Sequence, residues 1–102
     1  AQYADLDDTA APQALIEGAV ARFGRLDVLI NNASTYYATP VGAVTADDWD
    51  ALFGSNARAP FFLSQAATPH LAASTRAGGG AIVNIVDIYA ERPLPRHPVY
   101  CM

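Results

Sequence analysis

Cysteine is nearly absent from this chain: Cys101 is the single one in 102 residues. One thiol cannot close an internal disulfide, which removes the stapled scaffold of a small secreted domain from consideration. Positive charge is also sparse. Six Lys and Arg positions are scattered along a chain of net charge -4, so there is no basic patch to neutralise a row of phosphates, and nucleic acid is not an expected partner. Nor does any apolar run reach membrane-spanning length, and no charged-then-apolar leader opens the chain. A reducing cytoplasm is the expected setting, with no membrane partner. His70, His97 and one Cys give no metal-ligand spacing, so no metal is expected. No Gly-x-Gly-x-x-Gly turn, phosphate loop or Gly-x-Ser-x-Gly elbow occurs, and with them go the usual cues for phosphate cradling and serine hydrolysis. The chain also lacks an initial Met, starting at Ala1, and it stops at Met102 with no signal ending any element. An internal fragment is expected.

What is present has the balance of a globular domain, 52% hydrophobic and 16% charged. Leu15, Ile16, Ala19, Val20 and Phe23 line one face of a helix predicted over residues 12 to 23, with Pro12 in its first turn and Gly24 as its C-terminal cap. Val28 to Ile30 is a short β-branched and aliphatic run suited to a parallel strand buried on both faces. Thr45 and Asp48 form a capping box that opens a long helix, whose inward face would carry Trp49, Leu52, Phe53 and Asn56 before Pro60 interrupts the ladder. The loop Gly78 to Gly80 leads into a second buried strand, Ala81 to Val86. Helix, strand, long helix, strand is the order of an α/β fold with a doubly wound parallel sheet. Two strands do not make such a sheet, so the Rossmann-type fold is expected to be incomplete at both ends. Residues 1–102 would be the central portion of one domain, without its glycine-rich turn or C-terminal part.

Ligands of open α/β sheets sit outside the carboxyl ends of the strands, which directs attention to NNAST after the first strand and DIY after the second. Small and amide residues at 31 to 34 allow close backbone approach to a flat ligand; they read equally as an ordinary Asn-rich turn. Asp87 alone reads as a helix-capping carboxylate and Tyr100 as a half-buried aromatic. Together at the mouth of a cleft they form a proton-delivery pair, the acid's pKa raised by a dry site and the phenol's lowered by a neighbouring cation. Arg92, Arg96 and His97 lie between them in a Pro-rich loop and read as solvated. Pro60 has no amide hydrogen, so the carbonyl of Asn56 loses its helical partner.

These residues, taken in order, resemble the middle of a short-chain dehydrogenase/reductase: ADL at 4 to 6, GRLDVLINNAS at 24 to 34, Asn56, GGAIVNI at 79 to 85, and Tyr100. Ser34 replaces the family's Gly and Asp87 its Ser, and in both respects the chain is similar to the pteridine reductase branch, as are NNASTYYATP, SNARAPFFL and IVDIYAERP. The resemblance implies NADPH-dependent reduction of a dihydropteridine such as dihydrobiopterin, dihydromonapterin or dihydrofolate. It implies that Asp5 and Leu6 flank the adenine, that Asn32, Ala33 and Ser34 line the coenzyme's ribose and phosphates together with Tyr100, and that Tyr36 stacks on the pterin. Ser34, Asp87 and Tyr100 would also touch substrate, Asp87 and Tyr100 supplying the proton. The freed Asn56 carbonyl would hold a water that relays protons to a lysine one helical turn beyond Tyr100. With that lysine and the glycine-rich turn absent, the polypeptide alone is expected to be inactive, and the complete enzyme to be a homotetramer. Two other readings stand beside this one. The protein could reduce carbonyls, such as 3-oxoacyl thioesters or sugars, with Asp87 incidental, or it could be a non-catalytic scaffold.

Overall fold

A computed structural model describes residues 2–102. Helix α1 (Ala11–Phe23) begins with Pro12 where a missing N–H costs no helical bond, and Gly24 ends it in the left-handed region at φ 76°, its N–H returning to Val20 O. The chain then forms β1 (Val28–Asn31) and crosses through α2 (Ala46–Phe53), one π-helical turn (Gly54–Arg58) and α3 (Ala59–Ala72) before forming β2 (Ala81–Asn84). The strands pair in parallel, Val28 opposite Ala81 and Asn31 opposite Asn84. This is the Rossmann-type α/β arrangement expected of a strand, helical crossover and parallel strand.

The capping box at α2 forms as the sequence requires. Thr45 Oγ1 accepts from the Asp48 N–H at 3.1 Å, and Asp48 Oδ2 accepts from the Thr45 N–H at 2.9 Å. The core lies between the two longest helices and one sheet face: Ile16 of α1 meets Ala67 and Leu71 of α3, with Leu29 of β1 packed against them. Leu52 is the largest fully buried side chain, and burying a Leu stabilises by roughly 1.5–3 kcal/mol.

Three expectations about burial change. The strands are less covered than expected among the described residues: Leu29 turns toward the helices, while Val28, Ile30 and Val83 stay exposed on the other face and Ile82, opposite Leu29, is itself 40% exposed. The second strand ends at Asn84 rather than Val86, and Ile85 and Val86 are 60% and 83% exposed. Trp49 and Phe23 also leave the faces assigned to them. Trp49 is 41% exposed and stacks on Phe53 at 4.3 Å, and Phe23 is 71% exposed with Arg22 above its ring. Periodicity identifies the amphipathic face of a helix but not how far its cover extends.

The loop before β2 approaches the end of α3 closely. A Cβ on Gly80 would fall against the Leu71 carbonyl and within 2.7 Å of the Leu71 Cβ, which leaves glycine as the residue that fits. Beside it a polar stitch fixes the start of β1. Arg25 grips both oxygens of Asp27 at 2.8 Å, Ser74 Oγ donates to Asp27 Oδ1, and the Asp27 carbonyl accepts from the Ala81 N–H. The Arg25 hydrogen bonds, and after them that of Ser74, hold the Asp27 carboxyl below its usual pKa. A carboxyl whose pKa is lower folded than unfolded stabilises the fold above the unfolded value of about 3.9, and the contribution disappears as pH falls through the lower folded value. Asp27→Asn is expected to lower the melting temperature at neutral pH and to flatten its fall in acid, as followed by circular dichroism from pH 7 to pH 2; parallel curves for variant and wild type would reject this.

Candidate active site

Both strands deliver their C-terminal ends to one open cleft of about 540 Å³, within the range of small-molecule sites. Ala33 and Ser34 enter it from the loop after β1, Asp87 from the end of β2, Asn56 and Pro60 from the crossover helix, and Tyr100 from the last turn. The structure thus gathers five of the residues singled out in the sequence: Ala33, Ser34, Asn56, Asp87 and Tyr100. Asp5, Leu6, Asn32 and Tyr36 are not among its lining. Asp5 and Leu6 lie in the turn before α1, where Asp5 Oδ1 accepts from the Asp7 N–H at 3.0 Å, and Asn32 is exposed.

Asp87 caps a turn and also reaches Tyr100. Its Oδ1 accepts from the Tyr89 N–H at 3.1 Å and caps the 3-10 turn Ile88–Ala90, while its Oδ2 accepts from the Tyr100 hydroxyl at 3.1 Å. Capping fixes the carboxylate, and the fixed carboxylate orients the phenol. Tyr100 is held above the ordinary phenol pKa, chiefly by burial, then by the hydrogen bond to Asp87 and by its charge, with a Ser34 hydrogen bond pulling the other way. This corrects the expected lowering by a cation, for the groups acting on Tyr100 are a carboxylate, a hydroxyl and a second phenol. The hydroxyl therefore stays protonated at neutral pH and has a proton to give.

Asn56 sits in the π-helical turn. Pro60 neither donates to the carbonyl four residues back nor leaves room for it, and the helix widens upstream, so that the Ala59 N–H bonds to Gly54 O. The interruption expected at Pro60 takes the form of a wider turn just ahead of it. The Asn56 side chain then grips the loop after β1 with two bonds, accepting from the Thr35 N–H at 2.9 Å and donating to Thr35 O at 2.8 Å. The same turn holds the segment before α1 through Arg58, which donates to Asp7 O at 3.1 Å.

His97 departs most from its sequence reading. Tyr36 lies parallel to His97, ring centroids 4.8 Å apart and planes 5° apart, and meets Tyr100 at 80° and 4.9 Å. His97 is consequently half-buried rather than a solvated loop residue. Nothing local in RPLPRHPVY signals this, because its partner lies on another loop. Asn31, within the amide stretch noted in the sequence, forms the polar floor of the cleft with partners that the sequence reading did not name. Asn31, 8% exposed, donates Nδ2 to Asn84 Oδ1 at 2.8 Å and to Ser64 Oγ at 3.3 Å, while its own Oδ1 has no partner among the described residues. The matching Asn at the last position of each strand, 31 and 84, was the available cue.

An open cleft with small side chains on one wall, a buried unpartnered acceptor at its floor and a phenol at its mouth fits the flat end of a nicotinamide coenzyme. Ala33, Ser34 and Tyr100 are the lining residues that would hold it.

The model of the short chain dehydrogenase family matches residues 1–102, the whole chain. The chain belongs to the short-chain dehydrogenase family. Among curated members it is 35% identical to D-threitol dehydrogenase of Mycolicibacterium smegmatis, over 95% of this chain and 36% of that one. It is 37% identical to pteridine reductase 1 of Leishmania tarentolae, over 87% of this chain and 37% of that one. Among solved structures, the NADH-dependent reductase A1-R' complexed with NAD superposes with a TM-score of 0.90 at 31% identity, covering 98% of this chain and 43% of that one. The chain thus spans well under half the length of these short-chain dehydrogenases, and its fold superposes on that of the solved reductase.

Asn56→Ala would leave the Thr35 N–H and carbonyl without their partners, at a cost of about 1–3 kcal/mol. The expected result is a lower melting temperature and faster hydrogen exchange at the Thr35 amide. An amide as protected as in the wild type would show that the loop is held by something else.

Proposed function

We propose that the protein is an NADPH-dependent oxidoreductase that reduces a dihydropteridine of the dihydrobiopterin, dihydromonapterin or dihydrofolate class. The observation that carries this reading is the Tyr100 to Asp87 hydrogen bond, which puts a carboxylate where the family's usual serine would stand. A serine hydroxyl serves an alcohol or ketone oxygen. A ring nitrogen that must gain a proton as its neighbouring carbon is reduced is better served by a phenol backed by an acid. The coenzyme, when bound, supplies the hydride. Tyr100 delivers its proton to the nitrogen, and the phenolate so formed, raised in pKa by burial and by Asp87, readily takes up another. The likeness to pteridine reductase 1 supports the substrate class.

The likeness to D-threitol dehydrogenase favours a second reading, in which the substrate is a carbonyl or alcohol and Asp87 only caps the turn after β2. The NADPH preference, too, rests on the resemblance, and the NAD complex of the reductase A1-R' is a reason to compare both coenzymes. The reading extends to a cytoplasmic homotetramer joined through α3, where Phe61 and Phe62 pack edge to face while 64% and 44% exposed. Light scattering on the whole protein reports that assembly.

Coenzyme oxidation by the whole protein, followed with dihydrobiopterin and with a 3-oxoacyl thioester, separates the two readings. Asp87→Ser is expected to cost dihydropteridine reduction about 100-fold or more while leaving any carbonyl reduction intact. A wild-type preference for the oxo substrate, or an Asp87→Ser variant with full pterin activity, would sink the proposal.

A further inference from the structure

We propose that His97 is a positioning residue for Tyr100, acting through Tyr36. This rests on the reading of Tyr100 as the proton donor. The contacts run in sequence: His97 is stacked on Tyr36, Tyr36 meets Tyr100 nearly at right angles, and the Tyr100 hydroxyl points at Asp87. Parallel and perpendicular ring pairs at these separations are the two favoured geometries for aromatic side chains. Together with the hydrogen bond to Asp87 they restrict the orientation of the Tyr100 ring.

The loops carrying these rings are also joined through the backbone. The Thr39 N–H donates to Arg96 O at 2.8 Å, and Thr39 is 2% exposed. Arg96 takes φ 67°, the one positive φ outside glycine among the described residues, in a region that a side chain with a Cβ enters at a cost. Such a conformation persists where its surroundings over-determine it. Here it turns the Arg96 carbonyl toward Thr39 and brings the next residue, His97, over Tyr36, while His97 Nδ1 lies 2.9 Å from Pro95 O. The loop after β1 and the loop before Tyr100 thus meet at two adjacent points, one backbone and one aromatic.

The test compares His97→Ala with His97→Phe in the whole protein. Loss of the stack is expected to lower kcat about two- to tenfold in His97→Ala, with KM for substrate and the melting temperature near wild type, and His97→Phe should restore kcat. An unchanged kcat in His97→Ala, or a His97→Phe variant as slow as the alanine, would overturn the assignment. Should the wild type reduce oxo substrates and no dihydropteridine, the substrate reading fails, and the same comparison is run on the oxo substrate. Independently of turnover, the stack predicts upfield ring-current shifts for the His97 imidazole protons in NMR spectra, lost in Tyr36→Leu. Imidazole shifts indifferent to that substitution would also overturn it.

Discussion

Pro60 is the constraint on which the cleft depends. An ordinary helix through residues 46 to 72 would carry its carbonyls and side chains past the cleft in regular 3.6-residue steps. Pro60 has no N–H to return to the Asn56 carbonyl, and one turn just ahead of it, Gly54–Arg58, is widened, whereas Pro69 sits inside α3 without such a turn. The widened turn makes Asn56 available to the backbone of Thr35 and Arg58 to the carbonyl of Asp7. Two segments distant in sequence are thereby held to one short stretch of helix.

The loop fixed by Asn56 is the one that presents Ala33, Ser34 and Tyr36. Across the cleft, Asp87 is immobilised by the turn that it caps, and Tyr100 lies between the two sides, bonded to the carboxylate and braced by Tyr36. Its proton-holding state follows from this placement. Burial and an adjacent negative charge both oppose ionisation of a phenol, so the group is kept as a donor in neutral solution.

Much of this was legible in the sequence where the cause is local. The capping box of Thr45 and Asp48, the Pro12 and Gly24 ends of α1 and the disturbance at Pro60 all follow from residues within a turn of one another. The convergence of Asn56, Asp87 and Tyr100 followed from the strand order and the resemblance. What could not be read depends on distant partners. His97 looked solvated because its local neighbours are polar or proline, and only the loop after β1 supplies the ring that covers it. The exposed faces of Val28, Ile30 and Val83 show the same limit, since an apolar run states what should be covered and not what covers it.

The Arg25, Asp27 and Ser74 stitch stands at the opposite end of the same two strands from the cleft. Four residues of parallel strand separate them, about 13 Å at 3.3 Å per residue. At that distance, substitutions of the two kinds tend to add rather than interfere. The strand ends are therefore physically separate: residues 25 to 27 with 74 to 75 brace one end, and the cleft residues among 33 to 34 and 87 to 100 lie at the other. A chain arranged this way can be altered around its cleft without disturbing the polar brace that holds its strands together at the far end.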